Sequence, residues 1–175
     1  MTIAYPETMA DADDTQQRAM ARALSSPLRM RILRFCLHES HTNREIADEF
    51  DLNPGTSLHH VRSLLDTGFL AAEPPRAGKR NSTEIPYIAT QRSWDFPAPQ
   101  IGPVLVQAFL EEIQGVRAED LGVSRLGLKL NDDSLHELQH RLNAVLIEYK
   151  GRAPDPDGRP ISVMVATHPE MRKHS

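Results

Sequence analysis

The sequence has a single cysteine, Cys36, among 175 residues, and aromatic residues make up only 5% of it. One cysteine cannot form an internal disulfide, so a disulfide framework is excluded and a reducing compartment is favoured. No apolar run approaches the roughly 20 residues that a bilayer crossing requires. Residues 1–14 carry four acids and no base, unlike a secretory signal. We therefore expect a water-soluble, cytoplasmic protein with no membrane function.

The sequence patterns of common catalytic sites are also missing. It contains no glycine-rich phosphate loop, no nucleophile elbow and no zinc-protease histidine motif, and no spacing of Ser, His and Asp selects a triad. We expect no enzyme activity and no cofactor. His136 and His140 are four residues apart and could hold a metal with His168 or His174. Because no cysteine or fixed carboxylate accompanies them, we predict no metal site.

The net charge of −4 hides an uneven distribution of charge. Residues 15–92 carry 11 Lys and Arg against 8 Asp and Glu, whereas residues 93–175 carry 9 against 12. Electrostatic footprints belong to surfaces rather than to whole chains. The middle segment is therefore the candidate anion-binding part.

Capping signals predict four helices in this middle segment. The first covers 15–24, and the second begins at Pro27 with Ser26 as its N-cap and Cys36 in the core. Thr42 and Glu45 form a capping box before a short third helix. Asn53 and Pro54 then start a fourth helix that extends to residue 67. Two short capped helices joined by a tight turn predict a helix-turn-helix, whose second helix can enter the major groove of DNA.

The fourth helix has an apolar stripe and an opposite polar face. Short polar side chains allow a backbone to approach base edges closely, so this face is the candidate DNA-reading surface. The alternative is that it is an ordinary solvent-exposed face with no binding role. After Gly68, strands predicted over 69–73 and 84–89 enclose a basic loop, a wing placed to contact phosphate or the minor groove. The predicted DNA-binding residues are Asn53, Gly55, Thr56, Ser57, His59, His60, Arg62 and Ser63 of the helix and Arg76, Lys79 and Arg80 of the wing. For His60, a structural role is an equal alternative.

A fifth helix, predicted over 104–116, has apolar residues on more than one face. A helix that is apolar on two sides must be covered on both. Its own domain supplies one cover, and a second copy of the chain is the expected other. The predicted dimerisation residues are Leu105, Ala108, Phe109 and Ile113.

The remaining chain predicts a small β-α-β unit. Apolar residues alternate over 125–130 and again over 161–167, as in half-buried strands, and Asn131 can cap the helix between them. The whole chain is then expected to be mainly α with small β. Its parts would be a flexible acidic N-terminus (1–14), a winged helix-turn-helix domain (15–92), a linker and dimerisation helix (93–120), and a C-terminal dimerisation or sensing unit (121–175).

From about Arg18 to Thr90 the sequence resembles the ArsR family of bacterial winged-helix repressors. The segments that carry the resemblance are Ala23 to Leu33 and Asn53 to Leu70, with Thr56, His59 and His60 in the places of the family's threonine and His-His pair. The resemblance implies a homodimeric regulator that binds double-stranded DNA, usually a repressor released by an effector. The Cys-variable-Cys motif of the metal-sensing members is absent from residues 43–50.

Two other functions remain open from the sequence. The chain could be a winged-helix module that binds protein and has lost DNA binding, or a ligand-sensing protein centred on its C-terminal unit. A small-molecule effector is an expected partner of the regulator, but no residue pattern identifies it. The salt dependence of DNA binding separates the first alternative from a DNA-binding regulator.

Overall fold

The computed structural model describes residues 7–78, 82–96 and 101–170. The chain divides into two compact units, Met1–Arg117 and Ala118–Ser175. The helices of the first unit are α1 (Glu7–Leu24), α2 (Pro27–Phe35), α3 (Asn43–Glu49), α4 (Pro54–Asp66) and α5 (Gly102–Glu112). Its strands are β1 (His41–Thr42), β2 (Leu70–Ala72), β3 (Arg76–Ala77), β4 (Thr83–Glu84) and β5 (Pro86–Ala89), and the second unit contains α6 (Asp132–Lys150).

The first helix is longer than predicted. It begins at Glu7 rather than at residue 15, so the second half of the segment that was expected to be flexible, residues 7–14, is helical. Glu7, Met9, Ala10 and Ala12 are good helix formers, so this acidic segment can be helical without apolar periodicity. The end at Leu24 agrees with the prediction, and the guanidinium of Arg29 donates hydrogen bonds to the carbonyls of Ala23 (2.5 Å) and Arg22 (2.6 Å) at that end.

The predicted helix-turn-helix is confirmed. The hydroxyl of Thr42 accepts a hydrogen bond from the Glu45 amide (3.2 Å), and the Glu45 carboxylate accepts one from the Thr42 amide (2.7 Å), which is a complete capping box. Asn53 caps α4 by accepting from the Gly55 amide (2.8 Å). Asp51 takes a left-handed conformation (φ 50°) in the turn between α3 and α4.

A three-stranded antiparallel sheet with the order β1-β5-β2 packs beside these helices. β2 and β5 pair with Leu70 opposite Ala89, and β3 and β4 extend the hairpin as a separate two-stranded ribbon with Arg76 opposite Glu84. The predicted hairpin is therefore present, and Arg76 is the one predicted wing cation among the described residues. Together with α3 and α4 it gives a winged helix-turn-helix fold, as predicted.

The core of the first unit is apolar and lies between the helices and the sheet. Its buried side chains are Ala23, Leu24, Ile32, Leu33, Cys36, Ile46, Val61, Leu64, Phe69, Leu70, Tyr87 and Ile101. Cys36 is a core residue, as predicted, and burial together with the charge of Glu45 raises the pKa of its thiol to about 12. A thiol with such a pKa is unreactive at neutral pH.

Helix α5 packs against α2, and the ion pair between Arg31 and Glu111 (3.3 Å) joins the two. Ala108 is only 2% exposed, so its prediction as a dimerisation residue is wrong: it faces the core of its own unit. Phe109 and Ile113 are half-buried, whereas Leu105 is 39% and Leu110 49% exposed. The helix ends at Glu112, and residues Ile113–Gly115 form a 3-10 turn.

The second unit contains the predicted helix but not the predicted strands. Asn131 caps α6 by accepting a hydrogen bond from the Ser134 amide (2.9 Å). Residues 125–130 and 161–167 are described and are not strands, so the β-α-β prediction is wrong. Alternating apolar residues indicate an extended segment with two faces, but a strand also needs a neighbouring strand to pair with. Neither segment belongs to a strand pair among the described residues.

Candidate nucleic-acid interface

Helix α4 presents the predicted polar surface. Of the predicted residues, Asn53, Gly55, Thr56, His59 and Arg62 are exposed, and His60 and Ser63 are half-buried. Val61 and Leu64 lie on the opposite side and are fully buried. The helix is therefore anchored by one face and open on the other, which is the arrangement that a helix needs to enter a DNA groove.

The prediction that Ser57 contacts DNA is wrong. Its side chain is fully buried, and its hydroxyl donates a hydrogen bond to the Asn43 carbonyl at the start of α3 (3.3 Å). The Asn43 side-chain amide in turn donates to the Pro54 carbonyl (2.9 Å). Ser57 thus joins the two helices of the motif and fixes the angle at which α4 is presented.

His60 lies at the inner margin of the polar face. Its Nδ1 is buried and has no hydrogen-bond partner, and its ring meets that of His59 edge-on at 5.7 Å. Burial lowers the pKa of His60, and the nearby charges of Arg29 and His59 lower it further. The lowered pKa favours the neutral form of the His60 ring, which makes it less suited than Arg62 to a phosphate contact.

The wing is tied to the helix-turn-helix by an ion pair. The Arg76 guanidinium lies 2.7 Å and 2.8 Å from the two carboxylate oxygens of Glu45. Burial alone would raise the pKa of Glu45, but hydrogen bonds from Thr42 and the charges of Arg76 and His41 hold this pKa below its usual value. This ion pair places Arg76 of the wing beside α3, and its contact with DNA stays a prediction. The other two predicted cations, Lys79 and Arg80, lie outside the described residues.

A groove between α1 and α4 contains basic residues that the sequence analysis did not single out. Its volume is about 570 Å³ and its lining includes Arg18, Arg22, His59, Arg62 and Asp66. Arg18 and Arg22 are four residues apart, so they share one face of α1. That spacing was visible in the sequence, but the position of α1 beside the polar face of α4 depends on tertiary packing.

The described residues also bear on metal binding and on the spanning of a membrane. Across 7–78, 82–96 and 101–170, no group of three or more His, Cys, Asp and Glu side chains could hold a metal ion. His136 and His140 are exposed on α6. None of the helices in this part of the chain is long and apolar enough to cross a membrane.

Comparison with known proteins gives one family match. Residues 24–72 match a family model described as a helix-turn-helix domain, and no curated protein sequence matches. Among solved structures, the chain is similar to the homodimeric winged helix-turn-helix DNA-binding domain of Mb0332 from Mycobacterium bovis, a possible ArsR-family transcriptional regulator. That similarity has 20% identity, covers 67% of this chain and 98% of the other, and has a TM-score of 0.42.

Two further solved structures show similarity at the same level. NolR from Sinorhizobium fredii is 18% identical over 66% of this chain and 98% of its own, and reduced HlyU from Vibrio cholerae N16961 is 12% identical over 62% and 98%; both have a TM-score of 0.38. Similarities this distant carry no information on function. The family match and the geometry agree that this chain contains a winged helix-turn-helix domain, an architecture that DNA-binding transcription regulators use.

Proposed function

We propose that this chain is a homodimeric transcriptional regulator of the ArsR type, which binds double-stranded DNA through α4 in the major groove and through its wing on the backbone. The observation that carries the proposal is the exposed face of α4, where Thr56 and His59 project from a helix that the core and the Ser57 hydrogen bond hold rigidly. Short polar side chains on a rigid helix are suited to reading base edges. Repression is the direction that the family resemblance implies.

The proposal is tested by DNA binding of the full chain across a range of salt concentrations. The protein should bind fragments from its own gene neighbourhood with nanomolar to micromolar affinity, and the affinity should fall steeply as salt rises, because phosphate contacts release counterions. A salt-independent response, or no binding to any such fragment, would favour a protein-interaction module instead. Transcription from a bound promoter, measured with and without the protein, decides between repression and activation.

Individual substitutions separate base reading from backbone contact. His59→Ala should reduce the preference for the specific site over random DNA by about 1–3 kcal/mol, the range for loss of one base contact. His136→Ala removes an exposed imidazole from α6 and is the matched control. Equal loss of specific and random binding in His59→Ala would place this histidine on the backbone rather than on a base.

The wing cations should instead act on all sequences alike. Changing Lys79 and Arg80 together to Gln should weaken binding to specific and random DNA equally and lower the salt slope by about 2, because each phosphate contact contributes about one unit. Arg125→Gln with Lys129→Gln, in the second unit, removes the same two kinds of charge as a control. If the wing variant binds like this control, the wing does not contact DNA.

A further inference from the structure

We propose that the groove between α1 and α4 is a phosphate-binding site in which Arg18 and Arg22 of α1 act together with Arg62 of α4. The phosphate belongs either to the DNA backbone beside the recognition helix or to a free phosphorylated small molecule. The first case deepens the proposed function and rests on it, whereas the second stands independently of DNA binding.

The charge of the groove supports an anionic ligand. Three guanidinium groups line it against one carboxylate, that of Asp66. Guanidinium groups bind phosphate through paired N–H donors, which is why arginine is favoured at phosphate sites. The hydroxyl-bearing residues Thr15 and Ser63 also line the groove, and hydroxyl groups donate to phosphate oxygens as well.

Ion pairs within the protein leave most of the positive charge of these three arginines available. Arg18 pairs with Asp14 at 2.5 Å, but its side chain is 79% exposed, and exposed pairs of this kind are weak and screened by salt. Within the described residues, Arg22 and Arg62 form no ion pair. Two of the three cations thus remain available to a ligand.

The dimensions also fit. A volume of about 570 Å³ lies within the roughly 300–1,000 Å³ of ordinary ligand sites. Arg18 and Arg22 are one helical turn apart, which separates them by about 6 Å along α1. His59 lies in the same groove, so a ligand there contacts a residue of the DNA-reading face. A backbone phosphate would extend the DNA contact, and a free phosphate compound would occupy part of the same surface.

The test compares three full-length proteins: the wild type, Arg18→Gln with Arg22→Gln, and Arg125→Gln with Arg159→Gln as a charge-matched control. Arg18 and Arg22 are both exposed, so neither change disturbs the core. Each protein is titrated with inorganic pyrophosphate by calorimetry at constant ionic strength. Each is also titrated with specific and random DNA at several salt concentrations.

Two results support the proposal and identify the source. If the phosphate is that of DNA, the α1 variant loses on the order of ten- to a hundred-fold in affinity at 0.1 M salt for all sequences, and its salt slope falls by about 2 relative to the control. If the source is a free compound, the wild type and control bind pyrophosphate and the α1 variant does not. A variant that equals the control in both titrations overturns the proposal.

Failure of the proposed function gives a different pattern. Wild-type protein that binds no DNA but binds pyrophosphate through Arg18 and Arg22 would contradict DNA recognition and retain the phosphate site. If wild type and the α1 variant bind DNA equally well and neither binds pyrophosphate, only the proposed phosphate site is contradicted. If the wild type binds neither DNA nor pyrophosphate, both the proposed function and the phosphate site are contradicted.

Discussion

At the scale of single residues, Gly68 ends helix α4. It takes a left-handed conformation (φ 72°), its amide donates to the Leu65 carbonyl, and the Phe69 amide donates to the Leu64 carbonyl, both at 2.9 Å. These two hydrogen bonds are those of a Schellman motif. The motif directs the chain into the sheet so that Phe69 is buried.

Gly68→Ala should therefore destabilise the first unit by about 1–2 kcal/mol, the cost of a left-handed conformation for a residue with a Cβ. The added Cβ would also lie 2.5 Å from a guanidinium nitrogen of Arg92, a flexible group that can move. Gly102→Ala is the control, since a Cβ there meets nothing within 4 Å. Chemical denaturation measures both, and equal stability of the two variants would contradict the strain at Gly68.

His60 makes stability depend on pH. Because its pKa is lowered in the folded state, the unfolded chain takes up a proton that the folded chain resists. The stability contributed by the neutral ring is present above the unfolded pKa of about 6.5. It is lost as the pH falls from there towards the folded-state pKa. The free energy of unfolding should decrease over this range, and His60→Gln should reduce the decrease.

Denaturant titrations at a series of pH values measure this dependence, with His136→Gln as a control that removes an exposed imidazole from α6. Glu45 acts in a lower range, because its lowered pKa makes its contribution disappear only as the pH falls below about 4.3, the unfolded value. An unchanged pH dependence in His60→Gln would contradict the role of His60.

At the scale of secondary structure, the sequence correctly predicts those features that depend only on residues close together in the chain. The caps by Ser26, Thr42 and Asn53 were predicted correctly because the bonds of a cap lie within three residues. The burial of Ser57 could not be predicted, since it depends on the approach of α3 to α4. The prediction of strands in the second unit was wrong for the same reason. Strand pairing involves residues far apart in the sequence, and the apolar pattern over 125–130 specifies no partner strand.

The capping box allows a direct test at this scale. Thr42→Ala removes the hydroxyl that accepts from the Glu45 amide, and we expect a loss of about 1 kcal/mol in the free energy of unfolding, the usual cost of losing an N-cap. Thr167→Ala, at an exposed position outside helices and strands, should change stability little. Thermal or chemical denaturation of the two variants decides the point, and equal stabilities would show that the box contributes nothing.

At the scale of the whole molecule, the proposed dimer requires a surface that joins two copies of the chain. Helix α5 meets the condition that the sequence analysis set, because one side packs on α2 while Leu105, Val106 and Leu110 remain between 39% and 49% exposed. Two copies are also what a helix-turn-helix protein needs to read half-sites about 34 Å apart. The second unit offers a competing surface, since Val123 and Leu126 are 76% and 78% exposed.

If α5 joins the two copies of the proposed dimer, changing Leu105 and Leu110 together to Glu should yield monomers, because the interface would then bury two unpaired carboxylates. Both side chains are partly exposed, so circular dichroism should show an unchanged fold. Sedimentation velocity measures the mass, and Leu126→Glu in the second unit serves as the comparison. Monomers from the α5 variant alone place the interface on α5. If Leu126→Glu alone produces monomers, the second unit joins the copies, and the spacing of the two recognition helices is set by residues 118–175.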